Sequence, residues 1–193
     1  MKVLLVSHRF PPEGTAGTET YTAALAAALV ARGHEVTVFA AAKDISAPDL
    51  TVRRREHAGI TVHEVVNNLF HRNFRETWHH PRIDRIFGEL LDRIAPDVAH
   101  FQHLLYLSSG CVQAAGGSGF PVLFTLHDYW LQCPRFGQRL HPDGGRCETI
   151  DFERCGTCLP SFKFAQTPAQ RRVGSAIASV RYATGLDLGP LAR

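Results

Sequence analysis

Residues 2–40 read KVLLVSHRFPPEGTAGTETYTAALAAALVARGHEVTVFA, and this stretch decides the fold. Lys2–Val6 is a short, almost wholly apolar run, the pattern of a parallel strand covered on both faces by helices. His8–Gly17 then carries two prolines and two glycines, which cannot continue a strand and form a shaped loop. Thr18 can cap a helix, Glu19 suits its first turn, and the alanine and leucine run to Arg32 stops at Gly33, where a left-handed residue is needed. Val36–Ala40 is the second strand. Strand, loop, helix and strand form a right-handed crossover unit with parallel strands.

Outward from this unit the alternation continues. Ile60–Val65 reads as a third strand. Ile83, Ile86, Phe87, Leu90, Leu91 and Ile94 recur at helical spacing within 82–94, and Pro96 ends that helix. Asp97–Phe101 is a fourth strand, Leu105–Gly116 a further helix, and Pro121–Leu126 a fifth, buried strand running into His127 and Asp128. Beyond Pro168 a weakly amphipathic helix reaches about Ala183. The expected fold is α/β, a doubly wound, Rossmann-like parallel sheet with helices on both faces. A Cys-, Gly- and Pro-rich irregular insertion spans Cys133–Leu159.

Length and composition fit this reading. The 193 residues suffice for one domain, and 45% hydrophobic against 20% charged residues is the balance of a packed globular chain. No run approaches the roughly 18 apolar residues of a bilayer span. Ser7, His8 and Arg9 interrupt the first apolar run too early for a secretory leader, so a cytoplasmic location is expected. A net charge of +3 and a pI near 8.7 admit an anionic ligand or a membrane surface without requiring either, and no nucleic-acid partner is implied.

Open α/β sheets bind ligands at the carboxyl ends of their strands, so the loops leaving strands one, four and five are the ones to examine. Gly14, Gly17, Thr18 and Glu19 join a glycine loop to a helix start, where free N–H groups and a positive dipole end can meet a diphosphate. A tight turn that needs glycine explains the same residues. His103 closes the fourth strand and His127 the fifth, with Asp128 beside it. Imidazoles there can donate to a sugar hydroxyl or titrate near neutrality. His8, His71, His79, His80 and His100 read as structural or solvent-facing side chains.

These residues carry a family resemblance. Lys2–Ala40, Pro96-Asp97-Val98-Ala99-His100-Phe101-Gln102-His103 and Pro121-Val122-Leu123-Phe124-Thr125-Leu126-His127-Asp128-Tyr129-Trp130 resemble, in order, three stretches of the amino-terminal domain of family 4 retaining glycosyltransferases of the GT-B fold. The resemblance implies transfer of a hexosyl-type sugar from a nucleotide diphosphate sugar to a hydroxyl acceptor, with retention and no catalytic metal. It places Gly14–Glu19 against the donor's phosphates and sugar, and His127, with Asp128, at the transferred sugar. Residues 1–193 would be the acceptor-side half of a GT-B enzyme, inactive without a carboxy-terminal donor-binding domain that is absent from the chain. The acceptor, a sugar or a lipid-linked group, is expected at His103 and along Asn67–His80, where Arg72, Arg75 and Trp78 stand. A helix packing Phe70, Phe74 and Trp78 inward explains that stretch as well. A lipid-linked acceptor would bring peripheral contact with the inner face of the membrane.

Five cysteines without an export signal argue against a disulfide framework. Cys133, Cys147, Cys155 and Cys158 share the irregular insertion, and Cys155-Gly156-Thr157-Cys158 can place two thiolates on one ion. Four thiolates suit a closed, structural zinc site, with labile disulfides or free thiols as the alternatives. Cys111 reads as a small core residue. Two other classes of function remain open on sequence: a stand-alone acceptor-binding module, and a Cys-based redox or zinc-binding protein.

Overall fold

The computed structural model describes residues 1–71, 73–159 and 167–186. Six strands form a single sheet: β1 (Lys2–Ser7), β2 (Glu35–Ala42), β3 (Val52–His57), β4 (Ile60–Val66), β5 (Val98–Phe101) and β6 (Val122–Phe124), in the order β3-β4-β2-β1-β5-β6. Every pairing is parallel except β3 with β4. The expected doubly wound sheet is therefore present. Strand β3 was not expected, because Val52-Arg-Arg-Arg-Glu-His57 has no apolar alternation. It forms because it is an edge strand with one partner, so its side chains need not be apolar.

That edge strand also fixes the loop after β1. Glu64 on β4 is fully buried. Arg53 Nε donates to its Oε2 at 3.0 Å and Arg55 Nη2 to its Oε1 at 2.7 Å, so the buried carboxylate is paired and hydrogen-bonded on both oxygens. The same Arg55 Nη2 reaches the Phe10 carbonyl and Glu13 Oε2, each at 3.3 Å.

The two faces of β1 feed separate cores, as a period of two requires. Val3 and Leu5 pack with Val36, Val38, Ala40, Ile60 and Val62 beneath Ala26 of α1 (Gly17–Ala31). Leu4 and Val6 pack with Phe39 and Phe101 beneath Ile83, Phe87, Leu90 and Leu91 of α2 (Pro81–Ile94) and Cys111 and Ala115 of α3 (Gly110–Gly117). Phe87 lies between Phe39 and Phe101, ring centroids 5.2 and 5.9 Å away, and burial of such a ring contributes about 1.5–3 kcal/mol. Small residues on the inner face of α1 let that helix sit close to the sheet. It ends as expected, with Gly33 at φ +81° and the His34 N–H returning to the Leu29 carbonyl.

Several local expectations change. Helix α1 is entered from Ala16 with no side-chain cap, and Thr18 lies in the first turn, its carbonyl accepting from Thr22 Oγ1 at 2.7 Å. The helix expected over 105–116 is confined to Gly110–Gly117. Before it, Tyr106 takes a left-handed φ of 66° and the Ser108 hydroxyl accepts from the N–H groups of His80 and Gly110, so side-chain bonds displace helical ones. Among its described residues, the stretch 67–80 contains a single 3-10 turn, Phe74–Thr77, whose Asn73 side chain accepts from Glu76 N–H. Phe74 and Trp78 are exposed, so the inward-packing helix is not formed.

The strand expected over 121–126 shortens to β6 and is not buried: Leu123 is 54% exposed. The sheet ends at β6, and α1 packs chiefly on β1 and β2. In the insertion, α4 (Phe152–Cys158) is capped by Asp151, whose carboxylate accepts from the N–H groups of Glu153 and Arg154. Helix α5 spans Pro168–Thr184. No helix of the described residues is long and apolar enough to cross a membrane.

Candidate functional site

The strand order reverses between β1 and β5, so the loops leaving these strands part and leave a crevice at their carboxyl ends. Pairing continues past the strands. The Gln102 N–H donates to the Val6 carbonyl at 2.7 Å and the Thr125 N–H to the Phe101 carbonyl at 2.9 Å. The residues that follow are thereby aligned side by side: His8 after β1, Gln102 and His103 after β5, His127 and Asp128 after β6.

Their side chains form one polar cluster. The His8 and His103 rings are 4.7 Å apart. The Leu105 N–H donates to His103 Nδ1 at 3.0 Å, and since a backbone amide can only donate, the ring proton of this neutral tautomer sits on Nε2. From there it donates to Asp128 Oδ2 at 3.1 Å. Asp128 Oδ1 accepts from the Trp130 N–H at 2.8 Å, and the Trp130 ring stands 5.5 Å from His103. Both nitrogens of His103 and both oxygens of Asp128 are thus engaged, and the pair holds the rim in shape. His127 Nε2 meets Gln102 Oε1 at 3.0 Å, and the Tyr21 ring of α1 stands edge-on at 5.0 Å.

Glu19 connects this cluster to α1. It is 3% exposed, and its Oε1 lies 3.1 Å from His8 Nε2. Gly14 packs directly on it: a Cβ there would stand 2.7 Å from Arg9 Cβ and 2.8 Å from Glu19 Cγ. Gly17, at the start of α1, faces open space. Of the four residues expected at the donor's phosphates, Gly14 and Glu19 are turned inward to shape the loop. Gly17 and the first-turn amides are the ones left open.

Buried polar atoms without partners concentrate here. Ser7 Oγ, His8 Nδ1, Glu19 Oε2 and Gln102 Nε2 are all buried and unpaired. Such atoms cost stability unless water or a hydroxyl-rich ligand meets them. Burial above all, then the fields of His103 and Arg9, lowers the His8 pKa from 6.5 to about 3. Burial, with His103 next, also lowers that of His127, and burial with His127 that of His100. The crevice therefore presents neutral imidazoles at neutral pH, suited to hydroxyls rather than to balancing charge.

A pH dependence follows. His8 protonates near 6.5 when unfolded but only near 3 when folded, so the unfolded chain binds the extra proton between these values. Stability is expected to fall as pH drops below about 6.5 and to level near 3. Urea midpoints between pH 7.5 and pH 5 should show the slope, and His8→Asn should flatten it; an equal slope in the variant would remove His8 as its source.

The stretch expected to meet an acceptor sits elsewhere on the rim. Arg72 lies outside the described residues. The Arg75 guanidinium stands 6.0 Å from the exposed Trp78 ring, and the Trp78 carbonyl accepts from Ser109 N–H, which docks this stretch on the turn before α3. His71, Glu76 and His80 bring ligand atoms within 4.8 Å of one another, and His80 Nδ1 is buried without a partner. Cys133, Cys147, Cys155 and Cys158 line one cavity of about 20 Å³, and none of them is in a disulfide. Cys111 is fully buried, as expected, and burial pushes its thiol pKa up.

Sequence reading missed His8, Gln102, Tyr21 and Arg9, whose guanidinium lies 5.4 Å from the Tyr106 ring. Their positions directly after strands one and four were the available signal for three of them. Tyr21, on the helix, gave none.

Doubly wound sheets bind ligands over the carboxyl ends of their strands at the switch point, and that is where this polar cluster lies. The model of Glycosyltransferase Family 4 matches residues 15–157, and the chain belongs to that family. A search of curated proteins finds no match. Among solved structures, the chain is similar to the catalytic domain of starch synthase IV from Arabidopsis thaliana bound to ADP and acarbose, with 18% identity and a TM-score of 0.45, over 79% of this chain and 38% of that one. It is also similar to a trehalose-6-phosphate protein from E. coli bound with UDP-2-fluoro glucose, with 14% identity and a TM-score of 0.44, over 91% of this chain and 42% of that one. The chain thus spans less than half the length of these structures.

Proposed function

We propose that this domain is the acceptor-facing half of a retaining glycosyltransferase that moves a hexosyl-type sugar from a nucleotide diphosphate to a hydroxyl acceptor without a catalytic metal. A second, nucleotide-binding domain completes the enzyme, and this half alone is silent. One observation carries the reading: neutral imidazoles and unpaired buried polar atoms gather at the switch point, beside the open amino end of α1. Family membership fixes the class of reaction it is read against.

In this reading the acceptor oxygen forms the new bond to the anomeric carbon, the bond from that carbon to the diphosphate breaks, and the hydroxyl proton passes to the departing phosphate oxygen. The chain's own work is positioning. His127, braced by Gln102 and Tyr21, bonds hydroxyls of the transferred sugar. Asp128 and His103 act as positioning residues that hold the rim, and the open amides at Gly17 and Thr18 face the leaving diphosphate. Exposed Trp78 with Arg75 supports an acceptor that runs along the 73–80 stretch, including one carried on lipid at the inner membrane face of the cytoplasm.

The test is product stereochemistry. The natural polypeptide, incubated with α-linked nucleotide sugars in the presence of EDTA, is expected to give an α-linked product by NMR. A β-linked product would remove retention from the proposal, and activity only with added divalent metal would remove the metal-free step.

A further inference from the structure

The sugar-transfer reading makes no use of the insertion at 133–159, yet that segment has an unusual interior. Its only buried residues are Cys133, Gly137, His141 and Cys158. Of its large apolar side chains, Leu140, Ile150 and Phe152 are exposed and Phe136 and Leu159 are only half-buried. A segment without an apolar core needs another cross-link to hold one shape. We propose that Cys133, Cys147, Cys155 and Cys158 bind one structural zinc ion that braces the rim carrying His127 and Asp128.

The four cysteines come from three separate pieces of chain and line one cavity of about 20 Å³, roughly the room one small ion or water needs. Cys155 and Cys158 sit three residues apart on α4, the spacing that puts both on one side of a helix. Arg135 and Arg154 also line the cavity, and their charges offset the dianion that four thiolates make with Zn²⁺. His141 Nδ1 lies 3.4 Å from Cys158 Sγ, placed to donate to the thiolate. Binding releases four protons, one from each thiol, with no change of oxidation state. Among the described residues only His71, Glu76 and His80 form a three-donor group within 4.8 Å, so the sulfurs stand wider and close in on the ion, to about 2.3 Å from it.

Closure reaches the site through short links. The Cys133 N–H donates to the Tyr129 carbonyl at 3.0 Å, and Gly137 N–H to the Cys133 carbonyl at 3.1 Å. Arg139 donates to Gln132 Oε1 at 2.7 Å and lies 5.5 Å from the Tyr129 ring. Gly137, at φ +77°, lies so close to Trp130 that a Cβ would stand 2.7 Å from its backbone nitrogen. Trp130 is the residue whose N–H fixes Asp128.

The experiment is metal analysis of the natural polypeptide, purified in reductant with a tag that lacks histidine. The expected result is about one zinc per chain, released by a mercurial in step with thiol modification. Cys155→Ser and Cys158→Ser should each lose most of it, while Cys111→Ala and the double variant His71→Ala/His80→Ala keep it. Where a cysteine variant does not fold, cobalt substitution of the wild-type protein should give the strong thiolate-to-metal absorption of a tetrahedral sulfur site. In a Trp78→Phe background, chelation should shift Trp130 fluorescence. Reduced, folded protein without zinc, zinc retained by folded Cys155→Ser, zinc lost with the two histidines, or cobalt without thiolate absorption would each overturn the site. Unchanged Trp130 emission on chelation would overturn the bracing.

Discussion

His127→Ala in the complete enzyme is expected to lower kcat/KM by about 100-fold while moving the melting temperature by no more than about 2 °C. The asymmetry comes from where the ring sits. His127 is half-buried in the loop that follows the edge strand β6, so its removal opens no large cavity. Its Nε2 meets Gln102 Oε1 and its ring rests on Tyr21, so it is held in one orientation before any substrate arrives. With its Nε2 proton given to Gln102 Oε1, Nδ1 is a preplaced acceptor for a sugar hydroxyl; such a bond, strengthened in the transition state, accounts for two orders of magnitude, whereas its loss from a rim costs little stability. The measurement is steady-state kinetics beside thermal denaturation. Near-normal turnover would make His127 a structural residue, and a collapse of the melting temperature would assign the loss to unfolding.

Gly14→Ala should disable the site by another route. A methyl group there collides with Arg9 Cβ and Glu19 Cγ, neither of which is the free end of a flexible chain. Relief requires the loop or α1 to move, which parts Glu19 from His8. The expected cost is about 1–3 kcal/mol of stability. Activity is expected to fall about tenfold or more from the shifted geometry. Gly17→Ala is the matched control for crowding, because a Cβ there meets nothing within 4 Å and alanine favours the helix. It should leave stability unchanged or slightly raised. If the first-turn amides face the diphosphate, its effect appears as a higher KM for the donor. Equal stability of the two variants in a urea titration would count against the packing role of Gly14.

The unit β1–α1–β2 was legible because its apolar strands, helix and Gly33 stop are local properties of the chain. The same holds for α2, whose stripe of Ile83, Phe87, Leu90 and Leu91 is buried as its spacing requires. Edges were not legible. Val52–His57 lacks any apolar pattern and became a strand because β4 offered it hydrogen bonds and Glu64 gave Arg53 and Arg55 a partner. The 67–80 stretch showed aromatic residues at helical spacing, yet backbone bonds to Asn73 and Ser108 left it as a turn.

The candidate site divides in the same way. His103, His127 and Asp128 could be singled out because each ends or follows a strand. That His103 and Asp128 hold each other, whereas His127 is braced by Gln102, depends on how far β5 and β6 run before their chains separate. Gly14 and Gly17 look equivalent in the sequence, and only the position of Glu19 beneath the loop tells them apart. His8 reads as one histidine among eleven until the sheet places it against His103 and Glu19. The sequence by itself determined the fold class, the family and the strand ends that carry the chemistry, since periodicity and loop composition are written along the chain. Tertiary structure alone decided which polar atoms are paired and which remain open, because pairing is set by distances between strands that are neighbours in the sheet but far apart in sequence.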